Sequence, residues 1–318
     1  MKKLLIICGP TATGKTSLGI YLAKKFNGEI VSADSRQVYK GMDIATGKDI
    51  KSGKWIKNHW EIEGIPIWLL DVVKPNEEFS VAHYTDLAWK IIRDIWQRGK
   101  LPILVGGTGF YIKAVINNIP TKGISPNWPL RKQLESKAIN ILFNELAELD
   151  SFRAAQMNVS DRQNKRRLIR AIEVARWRVE NRLLPTEKLP QFDALFIGLT
   201  APYPFLYQQI DKRVEERVKI NVEREIKRLI KKGYNFENSV LRATIGYKEW
   251  EQFLAGKSVL NEVIQKWKFD EHAYARRQMT WFKKQKPIHW FDIHEKRWQD
   301  KIEKKVLIWY TQNNAKKD

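Results

Sequence analysis

The eight residues Gly9 to Thr16, GPTATGKT, have the types and spacing to hold a phosphate chain. Glycines let the backbone wrap an anion, successive N–H groups point inward, and Lys15 neutralises terminal charge. In this pattern Gly9, Pro10, Thr11, Ala12, Thr13 and Gly14 form the cradle, and the hydroxyl of Thr16 holds Mg2+. A glycine-rich turn with an accidental lysine is the alternative. Against it, the motif lies between an apolar run, LLIIC, and an amphipathic one, TSLGIYLAKKF. A pyrophosphate-type group, ATP or another nucleotide included, fits such a loop. The reaction stays open, because ATPases, small-molecule kinases and other transferases share the motif.

Two further positions carry chemistry. Asp34 ends the run EIVSAD, and a carboxylate at the carboxyl end of a strand beside a phosphate loop projects into the crevice where such sheets bind ligands. It is a candidate general base or Mg2+ ligand; capping the next turn or pairing with Arg36 are the structural alternatives. After LPILV comes GGTGFY, Gly106 to Tyr111, whose glycines would bring Thr108 to the same crevice. A tight strand-to-helix turn explains those glycines equally well.

The elements that must position these residues alternate along the chain: LLIIC, TSLGIYLAKKF, EIVSAD, a long irregular segment, AHYTDLAWKIIRDIWQRG and LPILVGG. This order predicts an α/β fold, a P-loop NTPase-like parallel sheet flanked by helices. Leu87, Ile91 and Ile95 recur at helical spacing, and Gly99 stands where that helix would end. NNIPTKGISPNWP is a connector, followed by mainly helical text to about Leu184 and a second break, LLPTEKLP. Residues 119–185 therefore read as a helical insertion domain in a core of 1–118 and 186–318. DALFIGLTA adds a strand to that core. FLYQQIDKRVEERVKINVEREIKRLIKKG, with Gly233 as its cap, and HAYARRQMTWFKKQ make the C-terminal third helical, and NNAKKD is a frayed tail.

The 318 residues carry 57 Lys+Arg against 36 Asp+Glu, a formal charge of +21 that points to a polyanionic partner or to a solvated, lysine-rich surface. Cys8 stands alone, so no internal disulfide forms, and five scattered histidines assemble no zinc site. A reducing, cytoplasmic setting fits. MKKLLIICG mimics a signal peptide, but its apolar run is short and leads into the glycine motif, which makes it a buried first strand. Apolar stretches break well before the roughly 18 residues of a membrane span.

The blocks GPTATGKT, DSRQVYKGMDIATGK, LLDVVKPNEEFSVAHY, LVGGTGFYIKAV, DRQNKRRLIRAIEV, ATIGYKEW and YARRQMTWFKKQ with IHWFD resemble, in order and spacing, the bacterial tRNA dimethylallyltransferases. The resemblance covers essentially the whole chain. It implies transfer of a dimethylallyl group from dimethylallyl diphosphate to N6 of the adenosine immediately 3′ of the anticodon, with diphosphate as the leaving group. It also implies Asp34 as the base taking the amine proton, Thr108 beside that amine, and Lys15 with Mg2+ at Thr16 on the leaving oxygens. Arg213 becomes a further diphosphate ligand, although an intrahelical pair with Glu216 is the alternative. For the tRNA anticodon arm it implies Asp34, Ser35, Arg36, Gln37 and Thr108 around a flipped base. Arg131 and the block Arg166, Arg167, Leu168, Ile169 and Arg170 lie on the insertion, and Ala243, Thr244, Ile245, Gly246, Tyr247 and Lys248 form a tRNA-facing turn.

From Arg153 to Arg182 nine basic residues face three acidic ones, a concentration that suits RNA phosphates. Arg162, Arg166 and Arg170 repeat at helical spacing on one face, with Leu168, Ile172, Ala175 and Val179 on another; solvated helix faces share this look. Trp128, Trp177, Trp281 and Trp290 are candidates for base stacking, core packing being the commoner use. The sequence departs from the family in DIATGKD where DIGTAKP is usual, in the tryptophan-rich KSGKWIKNHWEIEGIPIW, and in Gln209 where arginine is usual. A monomer is expected. Two other readings are a small-molecule or nucleoside kinase and an RNA-binding NTPase or non-catalytic RNA module, the latter leaving GGTGFY and ATIGYK unexplained.

Overall fold

The computed structural model describes every residue except 51, 120, 182–188, 286 and 313–318. Arg182, the expected boundary at 185/186 and the tail NNAKKD therefore lie outside the described residues. The chain divides into one unit of Met1–Ile116 with Gln191–Asp318, and another of Asn117–Pro190.

Among the described residues the first unit is built on eight strands: β1 Lys2–Cys8, β2 Gly28–Ser32, β3 Lys54–Ile56, β4 His59–Ile62, β5 Ile65–Trp68, β6 Leu101–Val105, β7 Phe192–Thr200 and β8 His289–Asp292. Their order is β3-β4-β5-β2-β6-β1-β7-β8, parallel from β5 to β8. Strands covered on both faces read as unbroken apolar runs, and both Leu4–Cys8 and the whole of β6 are buried. Leu5 stands opposite Ile103 on one side and Leu195 on the other, and all three join one core cluster.

The segment expected to be irregular supplies β3, β4 and β5, which run antiparallel. Three- and four-residue strands are too short for an alternation to register, and Lys57, Glu63 and Gly64 turn the chain with left-handed φ. The sheet ends on β3 at one edge and on β8 at the other, the latter also unforeseen as a strand.

Helices α1 Lys15–Lys25, α2 Val81–Gln97 and α3 Gly109–Asn117 follow strands or loops of the core. The insertion carries α4 Trp128–Glu135, α5 Ile139–Leu149, α6 Ser151–Gln156, α7 Val159–Arg162 and α8 Lys165–Glu180. The first unit resumes with α9 Tyr203–Lys219, α10 Val222–Lys231, α11 Glu251–Leu254, α12 Leu260–Phe282 and α13 Trp298–Thr311. The buried face of α2 is Tyr84, Ala88, Ile92 and Ile95, with Trp89 and Trp96; Leu87 and Ile91 flank it half-buried rather than forming it. The helical text of 205–233 breaks at Asn221, whose left-handed φ of 69° ends α9 and whose side chain caps α10 by accepting the Arg224 N–H. Gly233 follows α10 with φ 87°.

The second unit has its own core of Leu134, Leu142, Leu146, Leu168, Ile172 and Ala175. Val179, expected on that face, is exposed. Arg162 ends α7, and Asn164 caps α8 by accepting the Arg167 N–H, so Arg162 does not share a helix with Arg166 and Arg170. Asn and the residue before it break the run that periodicity alone would continue.

Candidate active site

The phosphate motif joins β1 to α1. A Cβ on Gly9 would fall 2.3 Å from the Leu199 carbonyl oxygen of β7, so this close approach requires glycine. Ala12 (φ 64°) and Gly14 (φ 74°) take left-handed conformations that curl the loop, and no side chain caps α1, leaving its first N–H groups free for a ligand. Thr13 Oγ1 donates to the Pro10 carbonyl at 2.9 Å, and Lys15 Nζ donates to the same oxygen at 2.5 Å. Burial, then the charge of Arg213, lowers the Lys15 pKa to about 8 against the opposing pull of Asp34. Burial pushes the Cys8 thiol up to about 12, so it takes no part as a thiolate.

Asp34 lies two residues past β2. Its Oδ1 accepts the N–H groups of Arg36 at 2.8 Å and Gln37 at 3.3 Å, so the turn-capping alternative is realised by one oxygen. Oδ2 has no hydrogen bond among the described residues and remains available to a base's task. Thr108 stands beside this turn: its Oγ1 accepts the Ser35 N–H at 3.0 Å, and its own N–H donates to the Ala33 carbonyl at 3.1 Å. The glycines before it are needed for this fit, since a Cβ on Gly106 would lie 2.1 Å from the Ala33 carbonyl oxygen. Gln37 donates to the carbonyls of Thr46 and Gly47 at 3.1 and 3.0 Å.

Arg213, on α9, donates from Nη2 to Thr11 Oγ1 at 2.8 Å, while Glu216 pairs with Lys212 instead. One cavity is lined by Thr11, Ala12, Gly14, Lys15, Thr16, Asp34, Gln37 and Arg213, with Ile30, Ile67, Leu70 and Val105 as its apolar side. Cations, loop amides and two carboxylates, Asp34 and Asp49, thus surround a space with an oily wall. Thr108 borders the turn of Asp34 without lining this cavity. Gln209, where the family has arginine, is exposed.

Several lining residues went unnoticed in the sequence. Gln278 of α12 contacts both the phosphate loop and the Gly106–Thr108 loop. Tyr274 of the same helix lines the cavity too, its phenol pushed up by burial and then by the Asp34 charge. Lys48, fully buried at its side chain, donates to the Tyr39 carbonyl at 2.6 Å and pairs with Asp43 at 2.8 Å and with Asp71. All three lay in blocks noticed as text, but nothing in the spacing says which side chain turns inward.

The nucleic-acid candidates divide. Arg166 is exposed. Arg131 is bidentate to the buried Glu173 at 3.0 and 2.8 Å, and Arg170 pairs with the same carboxylate while donating to the Thr121 and Ile124 carbonyls. Arg167 pairs with Asp161. Leu168 and Ile169 close the core of the second unit, so their side chains are withdrawn from any RNA, a correction that follows from burial. In the turn at 243–248, Ala243 is exposed and Ile245 half-buried, but Thr244, Gly246 and Tyr247 are buried; Tyr247 donates to Glu225 at 2.6 Å, and Lys48's neighbours Asp43 and Ile44 give their N–H groups to the same Glu225. That turn is chiefly an anchor, with Lys248 paired to Asp270 at 2.7 Å. Trp128 is exposed beneath the Arg131 guanidinium, and Trp177, Trp281 and Trp290 are half-buried; the fully enclosed indoles are Trp250 and Trp267.

A P-loop-like α/β sheet with a cation-lined cavity beside a strand-end carboxylate defines a class of protein whose site suits an anionic ligand. The family model described as IPP transferase matches residues 37–285, and one described as isopentenyl transferase matches 2–58. Two tRNA dimethylallyltransferases are among the relatives: that of Caldanaerobacter subterraneus is 38% identical over 96% of both chains, and that of Acetivibrio thermocellus is 39% identical over 96% of both. A full-length tRNA isopentenylpyrophosphate transferase from Bacillus halodurans superposes with a TM-score of 0.68 at 36% identity, covering 97% of this chain and 96% of that one. A eukaryotic dimethylallyltransferase acting on tRNA gives 0.80 at 28% identity, covering 99% and 80%. The chain belongs to the IPP transferase family and is a prenyltransferase; the kinase reading finds no support among these relatives.

Proposed function

We propose that this enzyme transfers a dimethylallyl group from dimethylallyl diphosphate to N6 of the adenosine 3′-adjacent to the anticodon of tRNA. The observation that carries this is that Lys15, Arg213, the phosphate loop and Asp34 line one cavity together with apolar side chains. An exocyclic adenine amine is a weak nucleophile, so its proton must be taken as the bond forms. Asp34 Oδ2 accepts that proton while N6 bonds to the allylic carbon and the carbon–oxygen bond to diphosphate breaks. Lys15, Arg213 and the N–H groups of Gly9 to Thr16 stabilise the charge that grows on the departing diphosphate. Thr108, held on Ser35, borders the amine.

A Mg2+ ion fits this donor set. Magnesium keeps waters and takes few protein ligands beside phosphates, and the exposed Thr16 hydroxyl at the start of α1 suits it; among the described residues no cluster of His, Cys, Asp and Glu offers a fuller site. When bound it adds positive charge to the leaving group. Arg166 and its neighbours on the second unit meet tRNA phosphates, and the flipped base enters beside Asp34 to Gln37. The enzyme acts as a cytoplasmic monomer, and no described helix is long and apolar enough to cross a membrane.

Incubating the protein with dimethylallyl diphosphate and tRNA, then digesting the RNA for mass spectrometry, should yield N6-isopentenyladenosine. Phosphoryl transfer from labelled ATP without that product would overturn the reading.

A further inference from the structure

Gln278 belongs to neither glycine loop, yet it touches both. Its Oε1 accepts the Thr11 N–H at 2.8 Å, and its Nε2 donates to the Gly107 carbonyl at 2.9 Å. The residue is only 6% exposed; its bond to Gly107 is buried and its bond to Thr11 partly so. A Cβ on Gly107 would lie 2.2 Å from Nε2, which is a reason for glycine there. Thr11 is held on its other side by Arg213, and Thr108, next after Gly107, accepts the N–H of Ser35, neighbour of Asp34. A contiguous chain thus runs from the diphosphate cradle to the turn that carries the base.

We propose that Gln278 is a positioning residue that couples occupancy of the diphosphate loop to engagement of the acceptor tRNA. This rests on the function proposed above. A primary carboxamide supplies one acceptor and one donor across the gap between the loops, and among similar side chains only a protonated glutamic acid does the same. When a diphosphate draws the Thr11 segment toward itself, the amide must follow, and the Gly107–Thr108 segment with it. A buried C=O and a part-buried N–H would otherwise be left unpaired, which opposes independent movement of the two loops.

The test measures binding of inorganic pyrophosphate with Mg2+, and of an anticodon stem-loop RNA, each alone and in the presence of the other. The intact enzyme should show reciprocal coupling of roughly tenfold. Gln278→Leu should bring that factor near one; the factor compares each ligand's affinity in the same variant with and without the other, so a loss of affinity for either ligand alone does not enter it. Gln278→Glu should regain coupling, relative to the unaltered enzyme at the same pH, as the pH falls from about 8 to about 6, because only the protonated carboxyl donates to Gly107. Absence of coupling in the intact enzyme, or equal coupling in the leucine variant, overturns the proposal. Should the leucine variant not fold, the glutamate variant decides alone, and pH-independent coupling in it is equally fatal. Prenylation of tRNA by the same preparation is measured in parallel, since its failure would count against the proposed function rather than against Gln278.

Discussion

The two units use arginine and lysine in opposite ways. In the first, Lys15 and Arg213 turn toward a cavity and find only backbone or hydroxyl oxygens, so their charge is left for a ligand. In the second, Arg131 and Arg170 converge on Glu173, Arg167 meets Asp161, and Arg176 meets Glu145. Among the described residues of the stretch that begins at Arg153, Arg153, Arg162, Lys165 and Arg166 have no ion pair, while Arg167, Arg170, Arg176 and Arg178 do. The dense basic stretch therefore holds about half of its charge internally, while Lys15 and Arg213 outside it line a cavity. Local charge counts measure composition; availability is set by partners.

Four substitutions sharpen this contrast. Asp34→Asn should lower turnover by about 10² to 10⁴-fold while stem-loop affinity stays within a few-fold, as read by single-turnover kinetics and RNA titration. Lys15→Ala should cost about 10² to 10³-fold in turnover through the leaving group. The intact enzyme should also lose diphosphate affinity as the pH rises through about 8, because Lys15 is cationic below that value and neutral above it. That inflection should vanish in Lys15→Ala, and its survival would assign the titration elsewhere.

In the second unit the larger effect should fall on stability. Glu173→Ala strands two guanidinium groups and should cost about 3 kcal/mol in thermal or urea unfolding. Burial raises the Glu173 pKa, but Arg131, the Asn127 N–H and Arg170 outweigh it and hold the carboxyl below its ordinary value. Its contribution is therefore present above the unfolded value and lost as the pH falls through the folded one. Arg166→Ala should weaken stem-loop binding only a few-fold and reduce the salt slope by about 1, with pyrophosphate affinity unchanged. An unaltered slope would return Arg166 to the solvent.

Much of the cavity was legible because a phosphate loop is a local object. Its glycines, lysine and threonine are contiguous, and strand-end placement alone pointed Asp34 at the crevice. The role carried to Arg213 came from family resemblance, and its geometry at Thr11 agrees with that position. Burial, by contrast, is decided by what packs on top. Leu168 and Ile169 look like part of an arginine-rich contact block until α5 covers them, and Tyr247 looks like a surface turn until Glu225 accepts its hydroxyl. Gln278 illustrates the same limit, since a glutamine in a helix gives no sign that two distant loops will close on its amide. The β3–β5 ribbon escaped notice because strands of three or four residues leave no readable period.

The sheet's edges bear on how the enzyme behaves in concentrated solution. An eight-stranded sheet invites further strands wherever its rim is long and flat. Here one rim is the three-residue β3, with Lys54 in it and Lys57 at its turn, and the other is the four-residue β8. Neither gives an incoming chain enough hydrogen-bonding length to take hold, so self-templating by edge addition is suppressed at its two natural starting points. Colloidal stability in this protein is thus set by the brevity of two strands as well as by its surface charge.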